Sequence, residues 1–298
     1  MSRDEEQKQW TVLDLVNWTA RFFEKKGIDA PRLNAELLLA HVLGWERIRL
    51  YTEFANVPTD QQRARFRELV LRRAARCPLQ YLLGKAGFLS REFLVTPAVL
   101  IPRQETELLV EEALGALRAE PLEAGATVVD LCTGSGVIAV SLALELPQCS
   151  VVASDASAEA LPVARQNVER HGVADRVRLM QGDLFEPIRR AGLAGQVAAV
   201  VSNPPYVCDD ELAHLMPEVR QYEPERALRG GPDGLDYYRR IAAQVGAILR
   251  PRGLLALEVG AGQAAAVTNE LLASGAVDQP RVRKDFQGIG RVVVCRRR

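Results

Sequence analysis

In the stretch Val200-Val201-Ser202-Asn203-Pro204-Pro205-Tyr206, an amide, exposed carbonyls and a phenol ring meet where a strand stops. The apolar run from Val197 to Val201 reads as a buried strand, and Asn-Pro-Pro-Tyr ends it abruptly. Proline cannot extend a ladder, and a residue before proline is pushed out of the α region. Asn203 and Pro204 are therefore held extended at the carboxyl end of that strand. Neither proline carries an N–H, so nearby carbonyls are offered outward as acceptors without competing donors. Together the amide side chain, a free carbonyl and the Tyr206 ring, on a stiff backbone, form a clamp for a planar NH₂ group. Alone, the tetrapeptide is equally a plain strand-ending turn, so other parts of the chain must decide.

A second constellation precedes it. Thr127-Val-Val-Asp-Leu-Cys-Thr-Gly-Ser-Gly-Val-Ile-Ala139 is a strand, a glycine loop and a helix start. Gly134 and Gly136 let the backbone approach a ligand and aim helix N–H groups at it. The next strand ends at Asp155, about twenty residues on, where a carboxylate suits a ribose diol. These two signals fit NAD nearly as well as S-adenosylmethionine. Three observations tilt the choice. Asp130 stands just before the loop, where its charge would help hold an ammonium group and repel a pyrophosphate. The strand ending at Asn203 carries the amide clamp, and a parallel sheet binds ligands at its carboxyl ends. No Tyr-x-x-x-Lys beyond the glycine loop, and no histidine, is placed for hydride chemistry. S-adenosylmethionine with an NH₂-bearing acceptor fits best. After the third strand, Asp183 is placed to accept from an adenine amino group while Leu184 packs on its ring; Asp183 is equally a turn residue.

The elements that must position these groups follow from periodicity. Strands are expected near 126–132, 150–155, 176–181, 196–201, 252–260, 279–284 and 290–296, with helices near 137–146, 157–171, 235–249 and 262–273. This alternation implies an α/β, Rossmann-like, seven-stranded and mostly parallel sheet covered on both faces. Gly288-Ile289-Gly290 leaves no room for a helix between the last two strands, so the last is antiparallel. Ahead of the sheet lies a helical segment. Val12 to Phe23 repeat at helical spacing up to Gly27, Asp29 and Pro31 open a second helix ending at Gly44, and Thr59 with Gln62 forms a capping box. Trp10, Trp18 and Trp45 are expected to pack between helices. Arg63, Arg65, Arg67, Arg72, Arg73 and Arg76 face one acid, Glu68, and read first as a solvated face, second as a docking surface for an acidic partner. The expected division is 1–80 helical, 81–100 a β-hairpin linker, and 101–298 catalytic.

Composition narrows the class further. The 298 residues carry 38 basic and 38 acidic side chains, and a neutral balance counts against a protein that grips long nucleic acids. No apolar run approaches the ~20 residues of a membrane span, and a cytoplasmic protein is expected. Five scattered cysteines and three dispersed histidines argue against disulfides and metal.

With these residues assembled, the chain resembles the class I methyltransferases, and within them the release-factor glutamine methyltransferases. The resemblance rests on Pro78-Leu-Gln-Tyr-Leu-Leu-Gly84, Leu100-Ile-Pro-Arg-Gln-Glu-Thr-Glu107, the glycine loop and Asn203-Pro-Pro-Tyr206. Further matches are Glu223-Pro224, Gly230-Gly-Pro-Asp-Gly-Leu-Asp-Tyr-Tyr-Arg-Arg-Ile241 and Lys284-Asp-Phe-Gln-Gly-Ile-Gly-Arg291. Asn-Pro-Pro-Tyr is shared with adenine amino methyltransferases; its combination with a helical amino-terminal domain is the specific signal. The resemblance implies N5-methylation of the glutamine in the Gly-Gly-Gln motif of bacterial peptide-chain release factors. It also implies a helical domain that helps hold the release factor. It assigns the glycine-loop positions Cys132, Thr133, Gly134, Ser135 and Gly136, with Asp155 and Asn203, to the cofactor, beside Asp130, Asp183 and Leu184 from the reading above. Asn203, Pro204, Pro205 and Tyr206 would take the target glutamine, with Asn203, Pro204 and Tyr206 catalytic. Cys132 stands where a glycine is common and Leu184 where an aromatic stacks on adenine; both bear on affinity rather than activity. Gln104 replaces a proline in the Pro-Arg-x-Glu-Thr-Glu segment. A monomer without metal or stable nucleic-acid binding is expected, and the alternative is an adenine N6-methyltransferase acting on DNA or RNA.

Overall fold

A computed structural model describes residues 9–120 and 122–298, which divide into two units. The smaller unit spans residues up to Gly84 together with Pro217–Tyr222; the larger runs from Lys85 to Met216 and from Glu223 to Arg298.

The smaller unit consists of α1 (Val12–Lys25), α2 (Pro31–Leu43), α3 (Arg49–Thr52), α4 (Asp60–Ala74), α5 (Leu79–Leu83) and α11 (Pro217–Tyr222). Thr11 and Thr59 each close a capping box, with Asp14 and Gln62. These satisfy N–H groups that a helix start leaves without partners. Asp29 does not cap α2. Ala30 occupies that position at φ 45 without a side-chain bond, and Asn34 Nδ2 instead donates to the Asp29 and Ala30 carbonyls at 3.0 and 3.2 Å. Nor is Trp18 between helices. It is 49 % exposed, edge-on to Trp10 and stacked on Phe22.

The arginine run of α4 is largely occupied within its own unit. Arg63 bonds the Pro58 carbonyl and Asp60, and Arg65 and Arg72 both reach Glu68. Arg73 is buried, donating to Asn34 Oδ1 at 2.9 Å, to the Cys77 carbonyl at 3.2 Å and to Glu218 Oε1 at 3.2 Å, where Arg76 joins it at 3.3 Å. Burial alone would raise the Glu218 carboxyl, but its own backbone and the two arginines hold it below the usual range. Removing one partner of a buried pair strands the other charge. Glu218→Ala should therefore destabilise the helical unit by about 3 kcal/mol, read as a lower unfolding midpoint by circular dichroism. An unchanged midpoint would show that Asn34 and the Cys77 carbonyl suffice for Arg73.

In the larger unit, β1 (Lys85–Phe88) and β2 (Arg91–Leu94) form a hairpin, followed by α6 (Gln104–Ala119). The sheet then comprises β3 (Thr127–Leu131), β4 (Ser150–Asp155), β5 (Val177–Gln181), β6 (Val197–Ser202), β7 (Leu249–Glu258), β8 (Arg281–Lys284) and β9 (Gly290–Arg296), in the order β5-β4-β3-β6-β7-β9-β8. Neighbouring strands from β5 to β7 pair parallel, and β9 lies antiparallel between β7 and β8. Side chains alternate across a strand, so Val128 faces a core with α6 and α7 (Val137–Glu145). Val129 and Leu131 face the opposite core, with α12 (Asp236–Ile248) and α13 (Ala264–Ala273). The remaining helices are α8 (Ala160–Arg170), α9 (Glu186–Arg190) and α10 (Asp209–Leu212).

The hairpin is part of this larger unit and not a separate linker. Phe88 and Phe93 are fully buried in the α6–α7 core. Asn167 of α8 accepts from Leu94 N at 2.7 Å and donates to Leu94 O at 2.9 Å and Ser135 O at 2.8 Å. One buried amide thus ties the hairpin to the glycine loop. Among the described residues, no helix is long and apolar enough to cross a membrane, and no cluster of side chains is arranged to hold a metal.

Candidate active site

The central strands β3 and β6 are adjacent and parallel, with Leu131 opposite Ser202. Both end on the same edge of the sheet, so the glycine loop and Asn203 come together by register alone. They open onto one cavity of about 240 Å³. Its walls include Cys132, Thr133, Gly134, Ser135, Asp155, Asp183, Leu184, Asn203 and Pro205 from the expected set. Asp130, Gly136, Pro204 and Tyr206 are not on its walls. Gly136 is the N-cap of α7, its φ 82 turning the chain into the helix.

Asp130 is wholly buried behind the loop. Its Oδ2 accepts from Thr133 Oγ1 at 2.5 Å and from Ala139 N at 3.0 Å, so the carboxylate fastens the loop to the first turn of α7. Burial pushes its pKa up to about 7 against those two hydrogen bonds. Asp155 accepts from Gly134 N at 2.9 Å and Ser157 N at 2.8 Å, one bond on each oxygen. A carboxylate has roughly four lone-pair sites, which leaves acceptor capacity facing the cavity for a diol. Burial raises the Asp155 pKa above its ordinary value, opposed by those backbone bonds. Asp183 is exposed and pairs with Arg240, whose guanidinium stacks 5.5 Å from the centre of the Tyr237 ring. Tyr237 lines the cavity beside Leu184, an aromatic surface that sequence reasoning did not single out.

Cys132 adopts φ 58, the left-handed region in which a Cβ is unfavourable. That conformation explains why glycine suits the position. Leu184 is similar, at φ 45.

The Asn-Pro-Pro-Tyr backbone is gripped from beneath. Val207 N donates to Leu228 O and Gly230 N to Val207 O, both at 2.8 Å. Gln263 Nε2 donates to Tyr206 O at 2.9 Å, while its Oε1 accepts from Gly260 N. A Cβ at Gly230 would stand 2.7 Å from Tyr206 Cα and 2.8 Å from its carbonyl carbon. The glycine-rich run after Arg229 therefore exists to let the clamp's backbone lie flush. Gly230→Ala should shift the clamp by a fraction of an ångström to an ångström. Misplacement on that scale can cost about 100-fold in rate. Turnover at saturating cofactor measures it, and wild-type turnover would show that the clamp absorbs the shift.

The opposite wall is pinned by Glu223, which is buried. Its Oε2 accepts from Ile101 N at 3.1 Å and its Oε1 from Arg103 Nη2 at 2.6 Å. Two family-like segments, Leu100 to Arg103 and Glu223-Pro224, are thus one structural feature.

Two further groups near Asn203 escaped sequence reasoning. Asn203 Nδ2 donates to Thr106 Oγ1 at 3.1 Å, and Thr106 Oγ1 donates to Glu258 Oε2 at 2.7 Å. Glu258 is fully buried and its backbone carbonyl accepts from Tyr238 Oη at 2.9 Å. Thr106 stood out only as a member of the Pro-Arg-x-Glu-Thr-Glu segment, without a role of its own, and a lone Glu at a strand end carries no signal in sequence. Only the register of Ser202 opposite Leu257 reveals that Glu258 follows beside Asn203.

Comparisons with known proteins bear on the family and the fold. Residues 14–84 match the family model of the PrmC N-terminal domain, and 105–219 that of the methyltransferase small domain. A release factor glutamine methyltransferase of Moorella thermoacetica is 45 % identical over 288 residues, covering 97 % of this chain and 99 % of that one. One from Geobacter sulfurreducens is 44 % identical over 291 residues, with 97 % and 98 % covered. Among solved structures, a methyltransferase from Pyrococcus furiosus superposes with a TM-score of 0.50 at 16 % identity, covering 80 % of this chain and 98 % of that one. The hMettl16 catalytic domain in complex with an RNA hairpin reaches 0.52 at 16 % identity, covering 76 % and 81 %. Those two likenesses speak to the fold.

Proposed function

This chain belongs to the release factor glutamine methyltransferases, and we propose that the cavity between the glycine loop and Asn203 is where it methylates N5 of the Gly-Gly-Gln glutamine of a bacterial class 1 release factor. The observation that carries this assignment is the adjacency of β3 and β6, which puts the glycine loop, Asn203 and Pro205 on one cavity.

The walls fit S-adenosylmethionine. Asp155 has acceptor capacity for the ribose, and the Leu184 and Tyr237 side chains offer apolar surface for adenine. Among the described residues, none but its chain neighbours lies within 4 Å of a Cβ built on Gly134. When bound, the cofactor supplies a methyl group already activated as a sulfonium. An amide nitrogen is a poor nucleophile because its lone pair is delocalised, so the protein's task is presentation. Asn203 Oδ1 and the Pro204 carbonyl accept the two N–H bonds of the target, and the Tyr206 ring packs on the amide plane. Such acceptors favour the positive charge that develops on nitrogen. Two hydrogen bonds contribute ~0.5–1.5 kcal/mol each, whereas a near-attack geometry contributes about 7–11 kcal/mol. Positioning dominates, and no strong general base is needed.

For the helical unit the role is to hold the release factor. Its exposed apolar side chains, among them Trp18, Ile48, Tyr51 and Phe54, are apolar surface on which such a partner can pack.

Mass spectrometry of the Gly-Gly-Gln peptide, taken from intact release factor after reaction, tests the assignment. A gain of one methyl on the glutamine is expected. An unmodified peptide, or label transferred to nucleic acid instead, overturns it.

A further inference from the structure

We propose that Thr106 and Glu258 are positioning residues that set the polarity of the Asn203 amide, presenting its oxygen and not its nitrogen to the target. The inference rests on the clamp reading above and extends it to two residues outside the Asn-Pro-Pro-Tyr segment.

A threonine hydroxyl has one hydrogen. Glu258 Oε2 takes it at 2.7 Å, so toward Asn203 the Thr106 oxygen can only accept, and it receives Nδ2 at 3.1 Å. Asn203 Oδ1, in a residue lining the cavity, then has no donor among the described residues. The relay is directional because a carboxylate terminates it. The opposite amide rotamer would set Oδ1 against a hydroxyl lone pair and offer N–H groups to the target's own N–H groups.

Glu258 is otherwise expensive. It is 1 % exposed, and its Oε1 has no hydrogen-bond partner. An apolar residue of similar volume would cost less there, so its retention calls for a task. Its surroundings comprise Arg103 and Glu105 beside the start of α6, Arg291 of β9, Tyr206 after β6 and Tyr238 of α12. Burial is the chief influence and carries its pKa up to about 7, with the Thr106 bond and the two arginines pulling the other way. Once protonated, Glu258 can donate to Thr106, freeing the threonine hydrogen for Oδ1 and allowing the amide to turn over. The carboxylate is the competent form, so turnover should rise as pH increases through about 7.

Three variants, assayed on intact release factor across pH, test this. T106V should lose about 10- to 100-fold in kcat, the scale on which removing the hydrogen-bond partner of a metal ligand lowers activity at metal sites. T106S should recover most of that loss. S-adenosylmethionine affinity should stay within a few-fold for both. E258Q, which cannot ionise, should lack the acidic limb near neutrality that the wild type shows. Wild-type kcat in T106V, or an unchanged limb in E258Q, overturns the relay. A T106V chain that fails to fold leaves the E258Q profile to decide. The clamp itself is judged separately: if Asn203→Ala is silent, that reading fails, and if only the relay variants are silent, the relay alone fails.

Discussion

Asn203→Ala should lose turnover by about 100- to 1000-fold, the scale of removing one group preorganised toward developing charge, while S-adenosylmethionine binding falls less than about tenfold. The split follows from what the side chain does in each state. To the cofactor Asn203 offers at most an ordinary hydrogen bond, worth ~0.5–1.5 kcal/mol. To the transition state it offers orientation of the nucleophile, which a methyl group cannot replace. Asn203→Asp provides a sharper contrast. It keeps an acceptor but brings a second carboxylate close to Thr106, which already serves Glu258. Single-turnover rates with pre-bound cofactor, beside calorimetric binding, separate the two effects. Wild-type turnover in Asn203→Ala would remove the clamp from the mechanism.

Asp155→Ala should show the reverse pattern. Hydrogen bonds to a charged group are worth about 1.5–3 kcal/mol, so loss of one ribose hydroxyl weakens binding at least about tenfold, and loss of both exceeds 100-fold. Asp155→Asn should fall between, keeping one oxygen for Gly134 N or Ser157 N but not both. Turnover at saturating cofactor should change far less than the dissociation constant. Because burial raises the Asp155 pKa, cofactor affinity should begin to fall on acidification at a pH above that at which an exposed aspartate titrates. An unchanged dissociation constant in Asp155→Ala would remove the ribose contact.

The sheet was legible because its signals are local and repeated. Apolar runs such as 197–201, glycine turns and helix periodicity gave every strand to within about three residues, and the Gly288–Gly290 link gave the antiparallel end. The glycine loop between β3 and α7 was legible for the same reason. Asp130 reads from its place in sequence as a partner for an ammonium group; its Oδ2 accepts from Thr133 and Ala139, while its buried Oδ1 has no partner among the described residues. Features made by distant partners were not legible. Glu223 was visible only as part of a motif, and its bonds to Ile101 and Arg103 span more than a hundred residues. Likewise the hairpin read as a linker because Phe88 and Phe93 look like strand residues of any kind; the core that buries them lies elsewhere in the chain. The helical unit recruits α11 from beyond Tyr206, through Arg73 and Glu218, a pairing no spacing rule could suggest.

Two glycines of the site are kept for opposite reasons. At Gly134 no described residue beyond its chain neighbours waits within 4 Å of an added methyl, whereas at Gly230 the backbone of Tyr206 is already there. If the cavity holds the cofactor as proposed, the first glycine reserves room for a guest; the second reserves room for the chain itself. In a saturation library scored once for folding and once for cofactor retention, the two positions should part company. Position 134 should yield folded chains that have lost their guest, with asparagine and aspartate least harmful because they tolerate its positive φ. Position 230 should accept no side chain without moving the clamp, and no richer supply of cofactor would restore it.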